Sequence, residues 1–139
     1  MNPQITSITY RACAFLLLAL NQPAFAANAE FNPEFSSCMD QSSGVTVNMI
    51  DCIGQEHERQ DARLNRVYNE LMGTLPAERK NALRDAQRAW LKYREANCHF
   101  YDDPNGGSIA RVQANDCFMT ETAKRAKELE DIRSMTEPF

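Results

Sequence analysis

His57 and Asp61 stand four residues apart in "EHERQDARLNRVY", residues 56–68. On a helix that spacing puts two side chains on one face, where they could ligate a metal or share a proton. Either chemistry needs further groups. A zinc site takes three or four ligands, yet the other histidine, His99, follows Cys98 far along the chain, and Glu56 and Glu58 point to either side of His57. The apolar pattern gives a different answer. At about 100° per residue, Ile50, Ile53, His57, Leu64, Tyr68 and Leu71 fall on one stripe, with Asp61 at its edge and Asn65 beside it. His57 therefore reads as a hydrogen-bonded interior or boundary residue. No residue is assigned to catalysis or to a metal, and no cofactor is expected.

Other polar residues recur on the inner faces of the helices. Asp61 and Asn65 precede Gln87 and Arg94 on the next helix, and Thr122 and Arg125 on the last. Folding the second and third helices about residue 74 sets Asp61 opposite Gln87 and His57 level with Trp90 and Arg94. Buried charge must be paired, so a structural network of Asp61, Asn65 and Gln87, closed by Arg94 or Arg125, is expected. The turn "DDPNGG" offers Asp102, Asp103 and Asn105 in partial imitation of a calcium loop, but its closing acid is missing and Gly107 takes a ligand position. It reads as a plain turn and as a candidate partner-binding loop. No nucleophile elbow or phosphate loop occurs, and none of the 19 acidic residues is singled out by a motif.

The elements that would position these residues are helices. Pro33 opens a short one carrying Cys38. Longer ones run from about Val47 to Met72 with Thr46 as N-cap, from about Pro76 to Asn97, and from about Ile109 to Ser134 with Ser108 as cap. The last should bury Ile109, Val112, Met119, Thr122, Ala126 and Leu129. Short connections make consecutive helices antiparallel. The expected fold is a small, all-α, disulfide-bonded antiparallel bundle following a cleaved signal peptide.

That leader is residues 1–26. "ACAFLLLAL" is an apolar run of secretory length, and Ala24-Phe25-Ala26 is a cleavage triplet, with a second cut conceivable after Ala29. The run is too short to span a bilayer, and Cys13 lacks the small aliphatic residues that precede a lipidated cysteine. A periplasmic domain over 27–139 with no stable membrane anchor is expected. The chain has 15 basic and 19 acidic residues, net −4, and losing Arg11 with the leader makes this −5. No basic stripe exists for nucleic acid. In an oxidising compartment, Cys38, Cys52, Cys98 and Cys117 read as two disulfides rather than zinc ligands, since no C-x-x-C pair occurs. The local pairs Cys38–Cys52 and Cys98–Cys117 would each clip a loop to a helix end. The rival Cys52–Cys98 also fits a hairpin.

"CIGQEHERQDARLNRVYNELMGTL", "LRDAQRAWLKYREANC" and "CFMTETAKRAKEL" together resemble the LprI-type lysozyme inhibitor family of exported bacterial proteins. The resemblance rests on Cys52, Glu56, Asp61, Leu64, Asn65, Tyr68, Gln87, Trp90, Arg94, Cys98, Cys117, Thr122, Arg125 and Leu129. It covers about Cys38 to Leu129. It implies a helical, disulfide-bonded periplasmic domain that is not an enzyme and that blocks a lysozyme by protein contact. The missing lipidation signal departs from lipid-anchored members. The alternative is an envelope interaction or stress module with a different protein partner. Exposed contact regions would be the 102–108 turn and the 38–51 connection.

Overall fold

The structure, a computed structural model, describes residues 31–136; the expected leader lies outside them. The described residues form four helices: α1 (Pro33–Gln41), α2 (Thr46–Thr74), α3 (Ala77–His99) and α4 (Gly107–Thr136). Asn32 caps α1, its side chain accepting from the Glu34 N–H at 3.0 Å. Ser43 and Gly44, both at positive φ (51° and 76°), make the tight turn into α2. Thr46 and Ser108 lie inside their helices and are not caps; α2 begins after Val45, which makes no side-chain cap bond. Pro76, which has no N–H to donate, precedes α3.

Consecutive helices are antiparallel, but the tightest pair is not consecutive. α2 and α4 pack along most of their length, whereas α2 and α3 barely touch. Cross-contacts between α2 and α4 join His57 to Thr122, Arg63 to Glu130 and Glu70 to Arg133. The numbers rise together, so these two helices run parallel. α3 lies antiparallel to α4, through Gln87–Arg125, Arg94–Thr122 and Cys98–Cys117.

The α2 core face is set by Ile53, Glu56, Gln60, Leu64, Val67 and Leu71, all buried. Their spacing of three and four is helical, and it lies to one side of the stripe read from the sequence, leaving His57 and Tyr68 at the boundary. Two apolar clusters result. Ile53, Val112 and Met119 pack with Phe35 and Met39 of α1. Leu64, Val67, Leu71, Ala126 and Leu129 pack with Tyr68, Trp90 and Ile132. A polar layer of Glu56, Gln60, Thr122 and Arg125, every one buried, divides them. Ile109 is 53% exposed, not buried as expected; it lies in the first turn of α4, where Ala110 and Val112 are the buried residues. α3 buries only Cys98.

The disulfides are Cys38–Cys52 and Cys98–Cys117, with Cα–Cα distances of 5.7 and 5.4 Å. The rival Cys52–Cys98 pairing is not formed. Because α2 and α4 are parallel with a register near that of His57 and Thr122, Cys52 and Cys117 lie level, and both bridges clamp the same end of the molecule. The Cys98–Cys117 bridge spans 19 residues. A loop of this size should contribute about 3 kcal/mol by limiting the unfolded chain. Replacing Cys98 and Cys117 together by Ala should therefore lower unfolding stability by about 3 kcal/mol in urea titrations, with the helical circular dichroism of the folded state kept.

Candidate functional site

Glu56 is fully buried and is the anchor of the polar layer. Its Oε1 accepts from Gln60 Nε2 at 2.7 Å and from the Asn32 backbone N–H at 3.3 Å. Its Oε2 accepts from Arg59 at 2.8 Å. The chain of bonds continues outward: Arg63 donates to Gln60 Oε1 at 3.0 Å and forks onto both oxygens of Glu130, at 2.8 and 2.6 Å. The Arg63 hydrogen bonds hold the Glu130 carboxyl below its usual range. One layer thus ties the start of α1, the middle of α2 and the end of α4. Glu56, Gln60, Arg63 and Glu130 satisfy one another, as a structural network requires, while Thr122 and Arg125 of the same layer bond to Arg94 and Gln87 of α3. The sequence reading had not placed Glu56 or Gln60 inside.

The network expected from Asp61, Asn65, Gln87 and Arg94 or Arg125 is divided into separate pairs. Asp61 accepts from Asn65 at 2.8 Å, and both are exposed. Gln87 accepts from Arg125 Nε at 3.0 Å, and Arg125 also pairs with Glu128 at 2.7 Å. Arg94 donates to Thr122 at 2.8 Å and lies 4.8 Å from the Trp90 ring centroid and 5.7 Å from that of Phe118. The reason is the lean of α3. Its polar face turns toward α4, so Gln87 and Arg94 find partners there, and a groove opens against α2. Asp61 keeps its hydration in that groove and needs no buried cation. Asp61, Asn65, Gln87 and Trp90 border one part of it, and His57, Asp61, Asn65 and Arg94 border another, of about 470 Å³. The register read from the sequence is kept, but the two helices are too far apart for these groups to bond across it.

His57 is half-buried, with its Nε2 3.3 Å from Thr122 Oγ1. That hydroxyl donates to the Phe118 carbonyl at 2.7 Å and accepts from Arg94. Its only proton is spent, so it must accept from His57, which fixes the neutral Nε2–H tautomer. Among the described residues no group of three or more His, Cys, Asp or Glu is placed to hold a metal.

The doubly clamped end carries the α1–α2 and α3–α4 connections. The turn after α3 presents Phe100, 82% exposed, then Tyr101, Asp102 and Asp103, all exposed. Asp103 Oδ1 accepts from the Asn105 N–H at 2.8 Å, holding the turn. A side chain at Gly106 would meet Ala110 Cβ at 2.8 Å, so the chain can re-enter the helix this closely only with glycine. Val45, just before α2, and Val47, in its first turn, are exposed at the same end. Sequence reading picked out the acids and missed the aromatic pair, whose exposure depends on where α3 stops.

Burial, and then the Arg94 guanidinium, push the His57 imidazole below its ordinary 6.5; Asp61 and Glu58 oppose this. The unfolded chain then binds the proton first, so stability present above pH 6.5 falls as pH drops through 6.5 and levels off below the folded pKa. Subtracting the stability profile of His57→Gln from that of the parent protein should leave a downward step below pH 6.5. A flat difference would show that the ring titrates alike in both states.

A sequence profile of the family described as "Lysozyme inhibitor LprI" matches residues 38–129. An uncharacterized protein of Rhizobium meliloti (strain 1021), R02472, is 29% identical over 136 residues, covering 88% of this chain and 93% of that protein. No solved structure matches the chain. The matched span begins at the first disulfide cysteine and ends at Leu129 in the second apolar cluster, so it takes in Glu56, Gln60, Arg63 and both bridges, and leaves out Asn32 and Glu130. The chain belongs to the LprI lysozyme inhibitor family.

Proposed function

We propose that this protein is exported to the periplasm, loses residues 1–26, and blocks a lysozyme-type muramidase by protein–protein contact. It acts by binding, not by catalysis. Membership of an inhibitor family supports this reading. The observation that carries it is the disulfide-clamped end. Phe100 and Tyr101 project there beside Asp102 and Asp103, on a turn closed by Cys98–Cys117.

Each part has a physical use. The carboxylates and the acidic net charge steer the protein toward a basic enzyme and raise its association rate. An exposed aromatic ring is the kind of anchor that carries binding energy when it fills a cleft. The disulfide holds the turn before binding, so little conformational freedom remains to be lost. Of the 38–51 segment only residues 42–45 connect helices, and exposed Val45 and Val47, at the same end, widen the contact.

The test is inhibition of muramidase activity by the purified protein. Inhibition is expected from the parent protein. Phe100→Ala should weaken it about thirtyfold, the loss of a hot-spot side chain. Asp102→Asn with Asp103→Asn should slow association and reduce its salt dependence. No inhibition at large molar excess removes this reading and leaves an envelope module with another protein partner.

A further inference from the structure

Neither the core nor the clamped end uses the groove between α2 and α3. Its two parts, of about 470 and 250 Å³, adjoin at Asp61 and Asn65, which border both. On α2 it runs from His57 to Tyr68, roughly 16 Å at the helical rise. We infer that this groove is a binding site for a neutral oligosaccharide.

Four planar polar side chains border it: the Asp61 carboxylate, the Asn65 and Gln87 amides and the Arg94 guanidinium. Each presents paired donors or acceptors in one plane, the geometry that meets two adjacent hydroxyls of a pyranose ring. Tyr68 adds aromatic wall against which the C–H groups of a sugar can pack, and Trp90, one face of it covered by Arg94, borders the same part. The side chains are held ready. Asp61 is bonded to Asn65 at 2.8 Å, Gln87 to Arg125 at 3.0 Å, and Arg94 to Thr122 at 2.8 Å while stacked on Trp90. Little ordering remains to oppose binding.

Other occupants fit less well. Glu58 and Asp61 face Arg84, Arg88 and Arg94, so neither sign dominates and a phosphate or nucleic acid would meet carboxylates. Both walls are helices whose backbone groups are already bonded, so an extended peptide finds no edge to pair with. An amphipathic helix needs a continuous apolar floor, and Leu64, Tyr68, Trp90 and Leu91 supply one only at the Gln87 end.

The site is independent of the muramidase reading, and its test contains no enzyme in the sugar titrations. The sequence has one tryptophan, Trp90, which gives a single indole N–H resonance inside the groove. Chitotriose, maltotriose and cellotriose are titrated separately into isotope-labelled protein. A saturable shift of that resonance is expected with at least one, weakened about tenfold or more in Asp61→Ala, as for loss of a charged hydrogen bond. Asn65→Ala serves as the second variant if the first melts at a lower temperature; both residues are exposed. Absence of any shift with all three sugars overturns the inference. So does equal binding by the variants, or a shift caused by unlabelled lysozyme and by none of the sugars, which would make the groove a protein contact.

Discussion

A carboxylate with no exposure to water organises this molecule. Glu56 sits between two apolar clusters, and leaving its charge unpaired there would cost several kcal/mol. Its four donors come from Arg59, Gln60 and the backbone of Asn32. Satisfying them fixes where α1 begins and which face of α2 turns inward. Arg63 and Glu130 carry the constraint on to α4. Apolar packing alone would tolerate sliding of α4 along α2; the polar layer admits one register, a use of buried polar groups for specificity rather than for bulk stability. That register then levels Cys52 with Cys117 and gathers both disulfides at one end.

The consequence for function is a division of labour along the molecule. The middle layer is saturated by its own partners and has little left to offer a ligand. The clamped end exposes an aromatic pair and two acids on a short, bridged turn. The groove, open because α3 leans on α4, presents polar groups that are positioned but not consumed. Rigid support beneath accessible side chains is the common requirement of recognition sites, and here both surfaces draw it from the same scaffold. The family match spans the scaffold as well as the surfaces, so the shared pattern speaks first for the common fold.

Much of this was legible in the sequence. Helical periodicity, Pro33, Pro76 and the glycine-rich turn located the four helices to within a few residues, and the local cysteine pairs are the favoured one of the two pairings that the sequence leaves open. The polar layer was not legible, because a pattern reading sends Glu and Gln outward; only the positions of Arg59, Arg63 and Glu130 in space make Glu56 and Gln60 good interior residues. The choice of α4 as the main partner of α2 was also hidden. It joins elements far apart in the chain, and the amphipathic stripe of α3 suggested a closer hairpin. That stripe is polar at Gln87 and Arg94, and it packs by hydrogen bonds to α4 instead of by burial against α2. Asp61 was placed opposite Gln87 in level but not in distance, since periodicity fixes the face and not the gap.

The central claim is that the Glu56 carboxylate holds the helices in register. Denaturant unfolding of Glu56→Ala against the parent protein tests it most directly. The predicted result is a loss of about 3 kcal/mol, at the low end for a broken buried pair because Arg59 reaches solvent and can rehydrate. Stability unchanged within about half a kcal/mol, the range of an ordinary surface substitution, would contradict it.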